Sequence, residues 1–130
     1  MDYQEEFEKT AVDTAACLLR RGSTGQRWSL DDGTSVKGWT IASDNYREEI
    51  LPTKGSSYWK EAWGTSAKIL ATDGTFWEYR VSYLQSSNLG SQTQKTESLR
   101  KIPPSSFVGS QGKPFSRWKA ELERLPYKQV

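Results

Sequence analysis

The chain has 130 residues, 35% of them apolar and 12% aromatic, with six tryptophans, one cysteine and no histidine. That length suits one domain, expected to bury on the order of two thirds of its unfolded surface, and the aromatic content argues against disorder. A single cysteine excludes an intrachain disulfide, and the lack of histidine excludes Ser-His-Asp, Cys-His and histidine-dependent zinc chemistry.

The net charge of +2 is unevenly placed. Residues 1–16 carry Asp2, Glu5, Glu6, Glu8 and Asp13 against Lys9, whereas in residues 95–119 Lys95, Arg100, Lys101, Lys113, Arg117 and Lys119 face only Glu97. The total is far below that of a dedicated nucleic-acid binder, but the basic tract suits an anionic partner. No apolar run reaches the length of a membrane span, and the acidic N-terminal segment lacks the basic and hydrophobic regions of a signal peptide. Together with the cysteine count, this gives the expectation of a small soluble protein in the reducing cytoplasm.

Residues 2–21 read as an amphipathic helix. Tyr3, Phe7, Ala11, Ala15, Leu18 and Leu19 recur at three- and four-residue steps, acidic residues crowd the first turns, and Arg20-Arg21 precede Gly22. Cys17 falls beside the apolar stripe and reads as a buried structural cysteine, since the helix C-terminus disfavours a thiolate.

Residues 27–42 alternate around Asp32-Gly33 and read as a hairpin. Val36 and Trp39 are out of phase for a period of two, and Gly38 between them is the expected site of a bulge. Residues 43–65 are irregular or helical: Ser43 or Asp44 can cap and Pro52 can stop a short helix, and Trp59 and Trp63 stand at i and i+4 amid Gly and Ser.

Residues 66–84 form a second hairpin around Asp73-Gly74. Trp77, Tyr79 and Tyr83 share one face of its second strand, which is assigned as the bed of the N-terminal helix. A polar loop at 85–96, a possible edge strand at 97–102 and a C-terminal helix at 116–125, capped by Ser116 and striped by Trp118, Leu122 and Leu125, complete the chain. The expected architecture is one α+β domain: an antiparallel sheet of four to five strands, the N-terminal helix across one face and the C-terminal helix at an edge.

No phosphate-binding or dinucleotide-binding glycine motif is present. Acid and base work would fall to carboxylates such as Asp31-Asp32, Glu48-Glu49, Glu61 and Glu78, but adjacent carboxylates read better as turn and solvated-face residues. Glu78 stands apart because it alternates with aromatics on a central strand. No catalytic, cofactor-binding or metal-binding residue is assigned. The leading expectation is a non-enzymatic protein that acts through a protein–protein surface, as an inhibitor, adaptor or immunity-type protein. It rests on Tyr58, Trp59 and Trp63, ring types enriched at interface hot spots, in a Gly/Ser-rich segment. The alternative is nucleic-acid binding through Lys95, Arg100, Lys101, Lys113, Arg117 and Lys119, assisted by exposed rings. A carboxylate-dependent enzyme ranks third.

Overall fold

The computed structural model describes residues 3–90 and 92–104, together with Leu122 and Arg124. Helix α1 (Tyr3–Arg20) is followed by β1 (Gln26–Ser29), β2 (Ser35–Ile50), β3 (Lys60–Ala71), β4 (Phe76–Ser86), a 3-10 turn at Ser87–Leu89, and β5 (Gln94–Lys101). The strands form one antiparallel sheet in the order β1-β2-β3-β4-β5.

Helix α1 ends where its backbone closes on itself. Gly22 takes a φ of 87°, and its N–H reaches the Leu19 carbonyl while Ser23 N–H reaches that of Leu18. This double bond pattern satisfies two of the carbonyls a helix end leaves open. The next residues then pin the sheet: Trp39 Nε1 donates to Ser23 Oγ at 2.7 Å inside the protein.

The turn between β1 and β2 holds Asp32-Gly33, and that between β3 and β4 holds Asp73-Gly74. In each, an aspartate carboxylate accepts a backbone N–H two residues on, from Thr34 at 2.9 Å and Thr75 at 3.0 Å. Gly74 meets two demands together, a φ of 87° and close approach of Val12 on α1, whose Cα would lie 2.6 Å from an added Cβ.

Two apolar cores lie on opposite faces of the sheet. On the helix face, Phe7, Ala11, Ala15 and Leu18 pack with Trp39, Leu70, Phe76, Ile102 and Leu122. The Phe7 and Phe76 rings stand 5.5 Å apart. On the other, inner face, Trp28, Val36, Ala67, Ile69, Ala71 and Leu99 cluster, with Trp77 and Tyr79 against them. Since Trp28 belongs to the first strand and Leu99 to the last, the sheet rolls until its ends meet, nearly a barrel. Asp31 N–H donates to the Glu97 carboxylate at 3.1 Å across that seam, and Lys95 lies 3.3 Å from the same carboxylate.

The two cores correct the expected bed of α1. The helix packs on Phe76 and its face of β4, whereas Trp77 and Tyr79 line the inner face. They also explain the phase break in β2: Val36 and Trp39 serve different cores, so both fit a regular strand. Gly38 pairs in register with Ala71, and the bulge falls between Thr40 and Ala42. Gly38 is needed because the β3 backbone presses on it, with Leu70 O 2.1 Å from an added Cβ. Leu19 is solvent-exposed, outside the apolar stripe assigned to it, and Cys17 is half-buried.

The segment expected to be irregular or helical is the largest departure. Residues 43–50 continue β2, and Trp59 directly precedes β3, which contains Trp63. Register is held there by cross-strand pairs: Arg47 with Glu61, Glu48 with Lys60 at 3.6 Å, and Thr65 Oγ1 donating to Asn45 Oδ1 at 2.9 Å. Such pairs, between residues far apart in sequence, override the local helix signals. The polar loop is also shorter than expected, since β4 runs to Ser86 and β5 begins at Gln94. The helix assigned to 116–125 lies outside the described residues, apart from Leu122 in the core and Arg124.

Candidate functional site

Beyond the two cores, β2, β3, β4 and β5 extend as a partly open half-sheet. β1 pairs only with Ser35 to Gly38, so among the described residues β2 from Trp39 to Ile50 has a hydrogen-bonded neighbour on one side only, β3. Residues 43–58 are exposed throughout, and four of the large exposed hydrophobics fall there: Tyr46, Ile50, Leu51 and Tyr58. The charged residues Asp44, Arg47, Glu48 and Glu49 flank them along this edge, which discourages indiscriminate strand pairing.

Tyr58 is therefore presented to solvent, as a binding residue requires, while Trp59 is only half-exposed. Trp63 is half-buried on the inner face, its ring stacked on Tyr83 at 5.4 Å and 17°. The three rings expected to act together thus differ in setting. Sequence reasoning passed over Tyr46, Ile50 and Leu51 because it placed them on a short helix. The run Tyr46-Arg47-Glu48-Glu49-Ile50-Leu51 has no period of two, so local pattern held no strand signal there.

The helix face of the half-sheet is built in rows, each row being residues opposite one another in register. Nearest the helix core runs Ala42, Lys68, Glu78, Arg100; then Asp44, Ser66, Arg80, Ser98; then Tyr46, Gly64, Ser82, Thr96; then Glu48, Ala62, Leu84, Gln94. Glu78 is buried, with 8% of its side chain exposed, and two arginines share it: Arg80 Nε at 3.0 Å and Arg100 at 3.2 Å. Both arginine side chains remain about two-thirds exposed, at 63% and 66%. Lys68 stands beside them. Burial holds its ammonium below the usual lysine range, with Glu78 opposing that shift and Arg80 adding to it. Glu78 thus lies within electrostatic reach of three cations.

In the next row but one, the Tyr46 ring lies across Gly64, its Cε1 2.5 Å from where a Cβ would stand. Beside it opens a hollow of about 300 Å³, lined by Tyr46, Ala62, Ser82, Leu84, Gln94 and Thr96 among others. Its walls present an aromatic ring, two hydroxyls, an amide and the paired charges of Glu48 and Lys60.

The basic residues assigned from sequence do not form one surface among the described residues. Lys95 and Lys101 lie on the inner-face rows, opposite Tyr83 and Trp77, whereas Arg100 lies on the helix face. Lys95 is engaged by Glu97 and lies 4.0 Å from Asp31. Lys113, Arg117 and Lys119 lie outside the described residues. The carboxylates scatter too. Glu61 and Glu78 occupy opposite faces, as do Glu48 and Glu49. Glu49 faces Glu61 across the strand pair, on the exposed end of the sheet, and Arg47 pairs with Glu61. Among the described residues no three His, Cys, Asp or Glu side chains gather as a metal site would require. No described helix is long and apolar enough to cross a membrane.

No family model, curated protein or solved structure matches the chain.

Proposed function

We propose that this is a non-enzymatic binding protein that engages a protein partner at the far end of its sheet, through the free edge of β2 and the exposed side chains Ile50, Leu51 and Tyr58. The observation that carries the reading is the gathering of exposed large hydrophobics at this one end, beside a strand edge that pairs with no other strand among the described residues. Apolar and aromatic side chains rimmed by charge supply the desolvated centre of a protein interface, and an open strand edge supplies backbone hydrogen bonds. An inhibitor, adaptor or immunity-type role fits such a surface.

The test is co-purification with nuclease treatment, comparing the native chain with Ile50→Ser/Leu51→Ser. A partner captured by the native chain and lost from the double variant, at unchanged thermal midpoint, supports the surface. Equal capture by both chains overturns it. Trp63→Ala is unsuitable for this purpose, because it removes the stacking partner of Tyr83 and perturbs the sheet itself.

A further inference from the structure

The open edge of β2 carries a self-complementary stretch, Tyr46-Arg47-Glu48-Glu49-Ile50. About its centre, Glu48, an aromatic side chain mirrors an aliphatic one and a cation mirrors an anion. Tyr46, Glu48 and Ile50 lie on the helix face of the sheet, and Arg47 and Glu49 on the inner face. Two antiparallel copies of an edge strand, related by a two-fold axis perpendicular to the sheet, keep like faces together and oppose residues symmetrically about the axis. With the axis at Glu48, Arg47 of each copy stands opposite Glu49 of the other, and Tyr46 of each opposite Ile50 of the other. With the axis at Arg47 two arginines meet, and with it at Glu49 two glutamates meet. The charges that discourage indiscriminate pairing therefore favour this one alignment.

We propose that the partner of this edge is a second copy of the chain, joined by antiparallel β2–β2 pairing about Glu48 into one continuous sheet. The inference rests on the protein-binding reading of the edge and names its occupant. Within one chain, Glu49 stands directly opposite Glu61, and like charges so placed are destabilising. Arg47 is drawn diagonally to Glu61, and Glu49 makes no ion pair among the described residues. The second copy brings an arginine to the other side of Glu49. The two Glu48 carboxylates that meet at the axis are each held by Lys60 of their own chain at 3.6 Å, which tempers their repulsion. Tyr46 and Ile50, both exposed in the single chain, become cross-strand neighbours. Ala42, in the row nearest the helix core, falls opposite Lys54, beyond the end of β2. The α1 and β1 elements of the two copies thus lie at opposite ends of the joined sheet. The ladder from Tyr46 to Ile50 is short, which places the dimer in the weak, concentration-dependent class, and the monomer keeps the fast-exchanging amides of an open edge.

Sedimentation equilibrium from low micromolar to near-millimolar concentration should show reversible dimerisation, and amide exchange along Ser43–Ile50 should slow as concentration rises. Glu49→Arg removes the like-charge pair with Glu61, so the thermal midpoint should not fall. It sets arginine against arginine at both positions of the dimer and should weaken association roughly tenfold. Arg47→Glu/Glu49→Arg exchanges the members of both pairs and should restore the native affinity, an exchange that a different partner would not follow. A native chain that stays monomeric at every concentration, or a double variant of native thermal midpoint that fails to recover, overturns the second copy as occupant. If the chain is monomeric with fast exchange along β2, and capture is still lost in Ile50→Ser/Leu51→Ser, the edge belongs to a different protein and the binding reading survives. Slow exchange in a monomer shows that the chain covers its own edge, and both readings fall.

Discussion

At the scale of single residues, two side chains show how narrow the tolerances are. Gly64 lies under the Tyr46 ring and against the Val81 carbonyl, which would stand 2.6 Å from an added Cβ. Gly64→Ala should destabilise the fold by about 1–3 kcal/mol, measured by urea denaturation. Adding Tyr46→Ala should restore only part of the loss, because the carbonyl is backbone and cannot move aside. Asp73 closes its turn by accepting from the Thr75 N–H and hydroxyl, and Thr75 Oγ1 in turn accepts from Trp77 Nε1 at 2.8 Å. Burial pushes the Asp73 carboxyl up, but the Thr75 hydrogen bonds outweigh it and hold the group below its usual value. A carboxyl held low contributes stability that is complete above its unfolded pKa and is lost as pH falls through the folded value. Asp73→Ala should therefore cost about 1 kcal/mol near neutral pH and progressively less in acid, which paired denaturation curves at the two conditions would show.

At the scale of elements, α1 depends on the sheet more than on its own propensity. Its interior face is narrow, with two alanines and a threonine buried between Phe7 and Leu18, and Thr14 satisfies its hydroxyl on the Thr10 carbonyl at 2.7 Å. Phe7 is the largest contribution to that face, so Phe7→Ala should cost about 3–4 kcal/mol, measured as a shift in the thermal or denaturant midpoint. The seam between the first turn and β5 has a different dependence. Glu97 is held below the usual carboxylate range, first by the Asp31 N–H and then by Lys95. Its contribution is present above the ordinary carboxylate range and fades as pH falls through the lowered value. Acidification should loosen the seam, observable as a change in Trp28 fluorescence that Glu97→Gln shifts or abolishes.

At the scale of the whole molecule, order should grade along the strands. Ile69 and Leu70 are fully buried on opposite faces of β3, which has paired neighbours on both sides. Their amides should exchange slowest with deuterated solvent, and those of Ser43 to Ile50, on a strand with one open edge, should exchange orders of magnitude faster. Uniform protection along β2 in the isolated protein would show that its edge is covered. The graded arrangement leaves one end of the sheet as scaffold and the other as accessible surface, where the proposed protein-binding edge lies.

Much of the scaffold was legible from local pattern. The three- and four-residue spacing of Phe7, Ala11, Ala15 and Leu18 specified α1, Gly22 marked its end, and the two Asp-Gly turns with alternating rings marked a sheet. These signals act between near neighbours in the chain, so sequence carries them directly. The working surfaces were less legible. Residues 43–50 hold a capping serine and a charged run that suit a helix, and only pairing with residues 60–68 makes them a strand. Which face of β4 met the helix was equally hidden, since both faces carry rings and the choice rests on the roll that brings Trp28 to Leu99. The meeting of Arg100 with Glu78 required the β4–β5 register, whereas Arg80 stands two residues from Glu78 on the same strand. Sequence by itself thus determined the helix, the turns and the absence of histidine chemistry. Tertiary structure alone decided which rings are buried, which edge is free and which charges meet, because those depend on contacts between residues distant in the chain.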